Sequence, residues 1–246
     1  MNGIDLNTVA FVRAVVRTQP ERLKDEPPTV PDIGHLPEDI QTQVEESALR
    51  RAQSYDFYRD IRVLSLLLGD TYVHYVVPED PAAWTTSVPI MAGQGTTLII
   101  CGGEVELLAR FWDALRDPTY ASHIAGWQIA DRLLPLLINK AMQANIRVPD
   151  RFLTDITRRF GASDKMVAVD AIYSQSAHAG SRPLPELADM LTWWGVPQET
   201  GQPYPSDRQL LELDQSGWMT AGCAAASKYL WGMRYLVAKY YGYVRG

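Results

Sequence analysis

Apolar positions in this chain follow two rhythms. Short β-branched or continuous runs dominate the first half, and sets spaced by three and four dominate the second. The runs Thr8–Val16, Ile61–Leu68, Thr71–Val77 and Thr96–Cys101 predict strands, with Gly69-Asp70 as a turn joining the second and third. Tyr120–Trp127 and Met166–Tyr173 (MVAVDAIY) predict two more. Helical spacing predicts helices over Ile40–Tyr58 and over Glu104–Arg116, the latter with Val105, Leu108, Phe111, Trp112 and Leu115 facing inward. A long amphipathic helix begins near Ala130 or Asp131, its apolar face made by Leu133, Leu134, Leu137, Ile138 and Met142. Pro135 is tolerated there because a first-turn N–H has no intrahelical partner to lose. Further helices are expected over Phe152–Arg159, over Leu184–Gly195 (closed by Gly195 and Pro197), over Asp207–Gln215 and over Trp218–Tyr241.

Between these elements, Gln19–Glu38 holds five prolines and reads as a surface loop. Residues 78–95, Ser174–Pro183 and 198–206 read as irregular as well. Strands that follow one another across short turns, with helices added later, predict an α/β protein with a mixed sheet covered by helices. No internal repeat or clear linker divides the chain, so one domain over residues 1–246 is expected.

Composition changes this picture little. A chain of 246 residues, 46% apolar and 21% charged, has the make-up of a globular protein with a substantial core. No run approaches the roughly 20 apolar residues of a membrane helix, so no membrane partner is expected. The first sixteen residues lack a basic start and a small-residue cleavage site, and Cys101 and Cys223 lie in apolar settings without CxxC spacing. Buried free thiols in a reducing, cytoplasmic setting are the expectation. The net charge of −6 argues against broad nonspecific affinity for nucleic acid, though a local basic groove can sit on an acidic protein. The small basic clusters Arg50-Arg51, Arg158-Arg159 and Lys228 with Arg234 read as solvated helix faces.

Candidate chemistry is sparse. His35, His74, His123 and His178 have no metal-site spacing, and a structural role is expected of them. Gly93-Gln94-Gly95 lacks the third glycine of a dinucleotide fingerprint and precedes a strand rather than following one. Neither a phosphate-loop motif nor a GxSxG elbow occurs. Two-metal phosphoryl chemistry would need carboxylates converging from several elements, and the candidates are Asp5, Asp131, Asp170 and Asp214. Asp170 is the most suggestive, since an acid inside an apolar strand is costly unless paired. Asp131 reads as a helix cap.

The order of segments nevertheless resembles the predicted 3′–5′ exonucleases related to the proofreading domain of B-family DNA polymerases. The resemblance rests on Glu104-Val105-Glu106-Leu107-Leu108-Ala109-Arg110-Phe111 for an E-x-x-L-L-x-x-F helix, and on Gly126-Trp127-Gln128 through Leu134-Pro135 for a G-x-N-x-x-x-F-D-x-P segment. Val169-Asp170-Ala171 answers an apolar strand with D-L, and Leu184-Pro185-Glu186-Leu187-Ala188 to Gly195-Val196-Pro197 answers an L-x-x-L-A helix ending G-I-P. A ribonuclease H-like fold is what this implies. It also implies four metal-binding acids, and those positions hold Val12, Ala14, Leu133 and Ala226, with Gln128 at a family asparagine and Gly222 at a family tyrosine. A second register over Ile4–Thr8 would supply Asp5 in the first motif. Side chains of Val, Ala and Leu offer no oxygen to a cation. The expectation is therefore a degenerate exonuclease-like domain, without cofactor, that serves as a binding or assembly module for single-stranded nucleic acid, a protein partner or a second copy. Gln128 and Arg132 are the candidate nucleic-acid contacts. The alternatives are an active nuclease using Mg²⁺ or Mn²⁺ at Asp5, Asp131 or Asp170, and an unrelated α/β interaction domain.

Overall fold

The computed structural model describes residues 4–18, 34, 37–52, 59–80, 84, 90–93, 95–156, 165–174, 186–197 and 204–244. Most of the loop expected over Gln19–Glu38 lies outside them, as do Arg158-Arg159, His178 and the ends of several expected helices.

A single run of apolar residues builds the centre. Strand β1 (Val9–Thr18) pairs antiparallel with β2 (Arg59–Leu68), which turns at Gly69-Asp70 into antiparallel β3 (Thr71–Val76). On its other side β1 pairs in parallel with β6 (His123–Gly126), and β6 with β7 (Met166–Ala168). Beyond β3 come parallel β5 (Thr96–Ile100) and antiparallel β4 (Ile90–Gly93). Among the described residues this is one mixed sheet of seven strands, in the order β4-β5-β3-β2-β1-β6-β7. β4 falls in the stretch expected to be irregular. Four residues carry too little alternation to be read as a strand, and what makes them one is pairing with β5 across Gly95. That residue has a φ of +69°, and a Cβ on it would meet the Asp70 carbonyl oxygen at 2.9 Å.

Alternation along β1 sends side chains to two cores. Ala10 and Val12 join Leu64 and Leu66 beneath α2 (Glu104–Ala114), α3 (Leu134–Gln143) and α4 (Asp150–Ile156). Phe11 and Val15 point the other way, toward α5 (Val169–Ser174), α6 (Leu187–Trp193), α7 (Asp207–Leu211) and α8 (Cys223–Val244). Helix α1 (Glu38–Ala52) precedes β2. No helix among the described residues is long and apolar enough to cross a membrane.

Three expectations need correction. The strand expected over Met166–Tyr173 stops at Ala168, and Val169–Ser174 is helical, so Asp170 sits in a first helical turn rather than inside a strand. Val105 and Met142, expected inward, are 58% and 68% exposed. The buried face of α3 instead includes Lys140, whose ammonium lies 3.2 Å from Glu104 and 3.8 Å from Asp60. Paired in this way the lysine can be buried where an unpaired one could not. Arg234, read as part of a solvated face, donates to the Gly69 carbonyl and to the side chains of Asp70 and Asn7, holding the β2–β3 turn against the start of the chain.

Candidate functional site

The parallel pairing of β1 with β6 covers only Val9–Phe11 against His123–Ala125. β1 then runs on to Thr18 while β6 ends at Gly126. Open α/β sheets bind ligands at such a place, outside the carboxyl ends of neighbouring strands where the strand order reverses. A cleft of about 740 Å³ opens there.

The chain leaving β6 is shaped to form its floor. Gly126 passes so close to β1 that a Cβ would lie 3.0 Å from the Val12 carbonyl oxygen. Gln128 takes a left-handed conformation with φ 51°. Its carbonyl accepts the amides of both Arg132 and Leu133 at 3.0 Å, opening a wide π turn over Ile129–Leu133 before α3 begins. Asp170 accepts the Gln128 amide at 2.8 Å, which fixes the strained corner from the neighbouring strand end. Burial holds the Asp170 carboxyl above the usual carboxylate range, offset in part by hydrogen bonds from its own amide and that of Gln128, while nearby Asp131 pushes it further up.

Val12, Ala14, Leu133, Gln128 and Arg132, singled out in the sequence, all line this cleft. Ala226 does not. It is fully buried with Val15, Val63, Val76 and Leu98, and α8 reaches the cleft with Tyr229 and Met233 instead. The remaining acids hold separate posts. Asp5 caps a single helical turn (Leu6–Thr8) ahead of β1, so the second register does not fall on the strand. Asp131 is exposed in the first turn of the π segment and is not its cap, because the helical path begins earlier, at Ile129. Asp214 accepts the Gly217 amide. Among the described residues no three His, Cys, Asp or Glu side chains gather where they could hold a cation. Two divalent ions do not fit this floor, whose Val12, Ala14 and Leu133 side chains have no donor atoms.

The sequence offers Tyr229 among the aromatics of the last helix, where core packing is expected over base stacking, but it gives no role to Arg13. Arg13 sits between Val12 and Ala14 and so leaves the opposite face of β1, where its guanidinium lies 3.8 Å from the centre of the Tyr229 ring and pairs with Asp207. Its side chain is only 11% exposed. Tyr229 donates its hydroxyl to the Pro205 carbonyl at 2.5 Å, and its ring centre is 4.9 Å from that of Tyr204. Burial pushes the Tyr229 phenol up to about 12, partly opposed by Arg13, so it stays neutral and presents an intact π face to the arginine. Four arginines (Arg13, Arg59, Arg132 and Arg208) and two carboxylates (Glu186 and Asp207) line the cleft. Local charge is thus positive on a chain of net charge −6. The signal for Arg13 lies in TVAFVRAVV: a lone charge in a β-branched run is costly unless paired.

Neither a family model nor a curated protein matches this chain in sequence. Guanidinium groups lining one cleft with apolar Val12, Ala14 and Leu133, with Trp127 and Tyr204, suit a ligand that combines anionic oxygens with flat rings.

Proposed function

We propose that the protein is a degenerate 3′–5′ exonuclease-like domain that binds single-stranded nucleic acid in this cleft without cutting it. The observation that carries the reading is that Val12 and Ala14 of β1, beside the end of β6, and Leu133 of the turn after it line one cleft with four arginines. Three positions at which the resemblance expects metal-binding acids come together in space, although Leu133 lies far from the other two in sequence. The fold adds support. An antiparallel meander β3-β2-β1 is continued by parallel β6 and β7 on one side and by β5 and β4 on the other, a mixed sheet covered by helices of the kind the resemblance implies. Arginines contact phosphates, and the half-buried Trp127 and Tyr204 offer stacking surfaces to bases.

The test combines binding and cleavage. Labelled oligothymidylate and oligouridylate are incubated with the protein in Mg²⁺ or Mn²⁺. The expected outcome is salt-sensitive binding with the oligonucleotide left intact. Arg132→Gln or Arg59→Gln weakens binding and flattens the plot of log affinity against log salt by about 0.7 per lost phosphate contact. Metal-dependent cleavage that disappears in Asp170→Asn would overturn the degenerate reading. Failure to bind either strand would leave a protein partner or a second copy as the ligand of the cleft.

A further inference from the structure

A nearly buried cation of the cleft, Arg13, is already engaged by an anion of the chain itself. Arg13 is nearly buried, with its guanidinium stacked on Tyr229, and the oxygen it meets belongs to Asp207. Asp207, by contrast, is 55% exposed and stands in the first turn of a five-residue helix. That helix keeps its place without the ion pair. Ser206 and Gln209 close a reciprocal cap at its start, and Leu210 is buried in the apolar cluster around Trp218. Arg13 is therefore fixed and directed, while its partner is exposed and replaceable. A carboxylate and a phosphodiester present a guanidinium with the same geometry, two oxygens in one plane.

We propose that Arg13 is the phosphate receptor of the cleft, that Asp207 occupies it in the free protein, and that a phosphodiester exchanges with this carboxylate without any divalent cation. The inference rests on the nucleic-acid reading above and adds how the strand is held and what restrains it. In a two-metal site the cations receive the phosphate oxygens. Here the floor offers cations no ligands, and a guanidinium at the back of the same cleft supplies the positive charge. Exchange is a competition, so Asp207 lowers affinity by the amount its pairing with Arg13 is worth.

Binding of oligothymidylate and oligouridylate is measured against salt for the wild type, Asp207→Asn, Arg13→Gln and Arg13→Lys, in EDTA and in Mg²⁺. Asp207→Asn is expected to tighten binding by up to about fivefold, the worth of a half-exposed ion pair. It should also steepen the salt dependence by about 0.7, one phosphate contact on a single strand. Arg13→Gln loses the gain even when combined with Asp207→Asn, Arg13→Lys restores part of it, and EDTA changes nothing. Unchanged affinity and slope in Asp207→Asn, or binding that requires Mg²⁺, overturns the proposal and leaves the nucleic-acid reading standing. A parallel arm follows the melting temperature with inorganic tripolyphosphate. Stabilisation that is stronger in Asp207→Asn and absent in Arg13→Gln, with no oligonucleotide bound by any variant, would keep Arg13 as an anion receptor and sink the nucleic-acid reading. No response to either probe overturns both.

Discussion

His74 is fully buried between two hydroxyls, with Nδ1 2.9 Å from Ser65 and Nε2 3.0 Å from Ser227, and it faces the Trp218 ring. One neutral imidazole thereby links β2, β3 and α8, and burial lowers its pKa from 6.5 to about 3. The sign of the consequence follows from proton counting. Between those two values the unfolded chain binds a proton that the folded one refuses, so the stability contributed by neutral His74 is complete above pH 6.5 and drains away as pH falls toward about 3. The expected slope is about 1.4 kcal/mol per pH unit, on top of that from the carboxylates. Urea unfolding of wild type and His74→Gln across this range checks it. The variant is less stable near neutrality, and the gap should close as the medium becomes acidic; a constant gap would show that His74 is not held neutral. The structural role expected of a lone strand histidine was legible from its spacing. Its two serine partners were not, because Ser227 lies 153 residues away in the chain.

At the scale of elements, the corner between β6 and α3 depends on a contact from the first turn of α5. Removing the carboxylate in Asp170→Ala strands the Gln128 amide and is expected to cost about 1–3 kcal/mol. Asp170→Asn keeps an acceptor and should cost much less; equal losses in the two variants, measured by urea unfolding, would mean that the hydrogen bond at 2.8 Å does not hold the corner. Strand and helix identities in this region were legible because Ile124 and Ala125 belong to a short continuous apolar run, while Leu134 and Leu137 repeat at helical spacing. The wide turn was not. Nothing in IADRL distinguishes a π turn from an α turn, since the difference lies in which carbonyl accepts the Leu133 amide. The same blindness explains Asp170: MVAVDAIY is apolar enough for a strand, and only the buried need of Gln128 tells where the strand ends. Of the positions named from the sequence, Val12, Ala14 and Leu133 line the cleft and Ala226 does not. The Arg13–Tyr229 stack joins side chains more than two hundred positions apart, and no local pattern could announce it.

For the molecule as a whole, the sheet has a separate core on each face, and each holds one cysteine. Cys101 lies with the α2–α3 core and Cys223 with the core around Trp218. Burial pushes both thiols up to about 12, so neither is a ready nucleophile in the native state. Labelling by a thiol reagent near neutral pH is expected to be slow and to proceed at one shared rate, set by opening of the whole domain. Two well-separated rates, resolved by mass spectrometry of the labelled peptides, would show that the faces open independently. The two long helices that cover those faces have one detail in common: α3 follows a π turn at Ile129–Leu133, and α8 follows another at Trp218–Gly222. Such a turn acts as a phase setting. A single residue subtends about 100° on a helix, so deleting one from either segment would rotate everything downstream by more than a quarter turn. In α3 that rotation would swing Leu134 and Leu137 off the sheet together with Lys140, and in α8 it would carry Tyr229 away from Arg13. Both helices are therefore indexed to the sheet at their first turn, and substitutions along their lengths are far safer than any change in the number of residues that precede them.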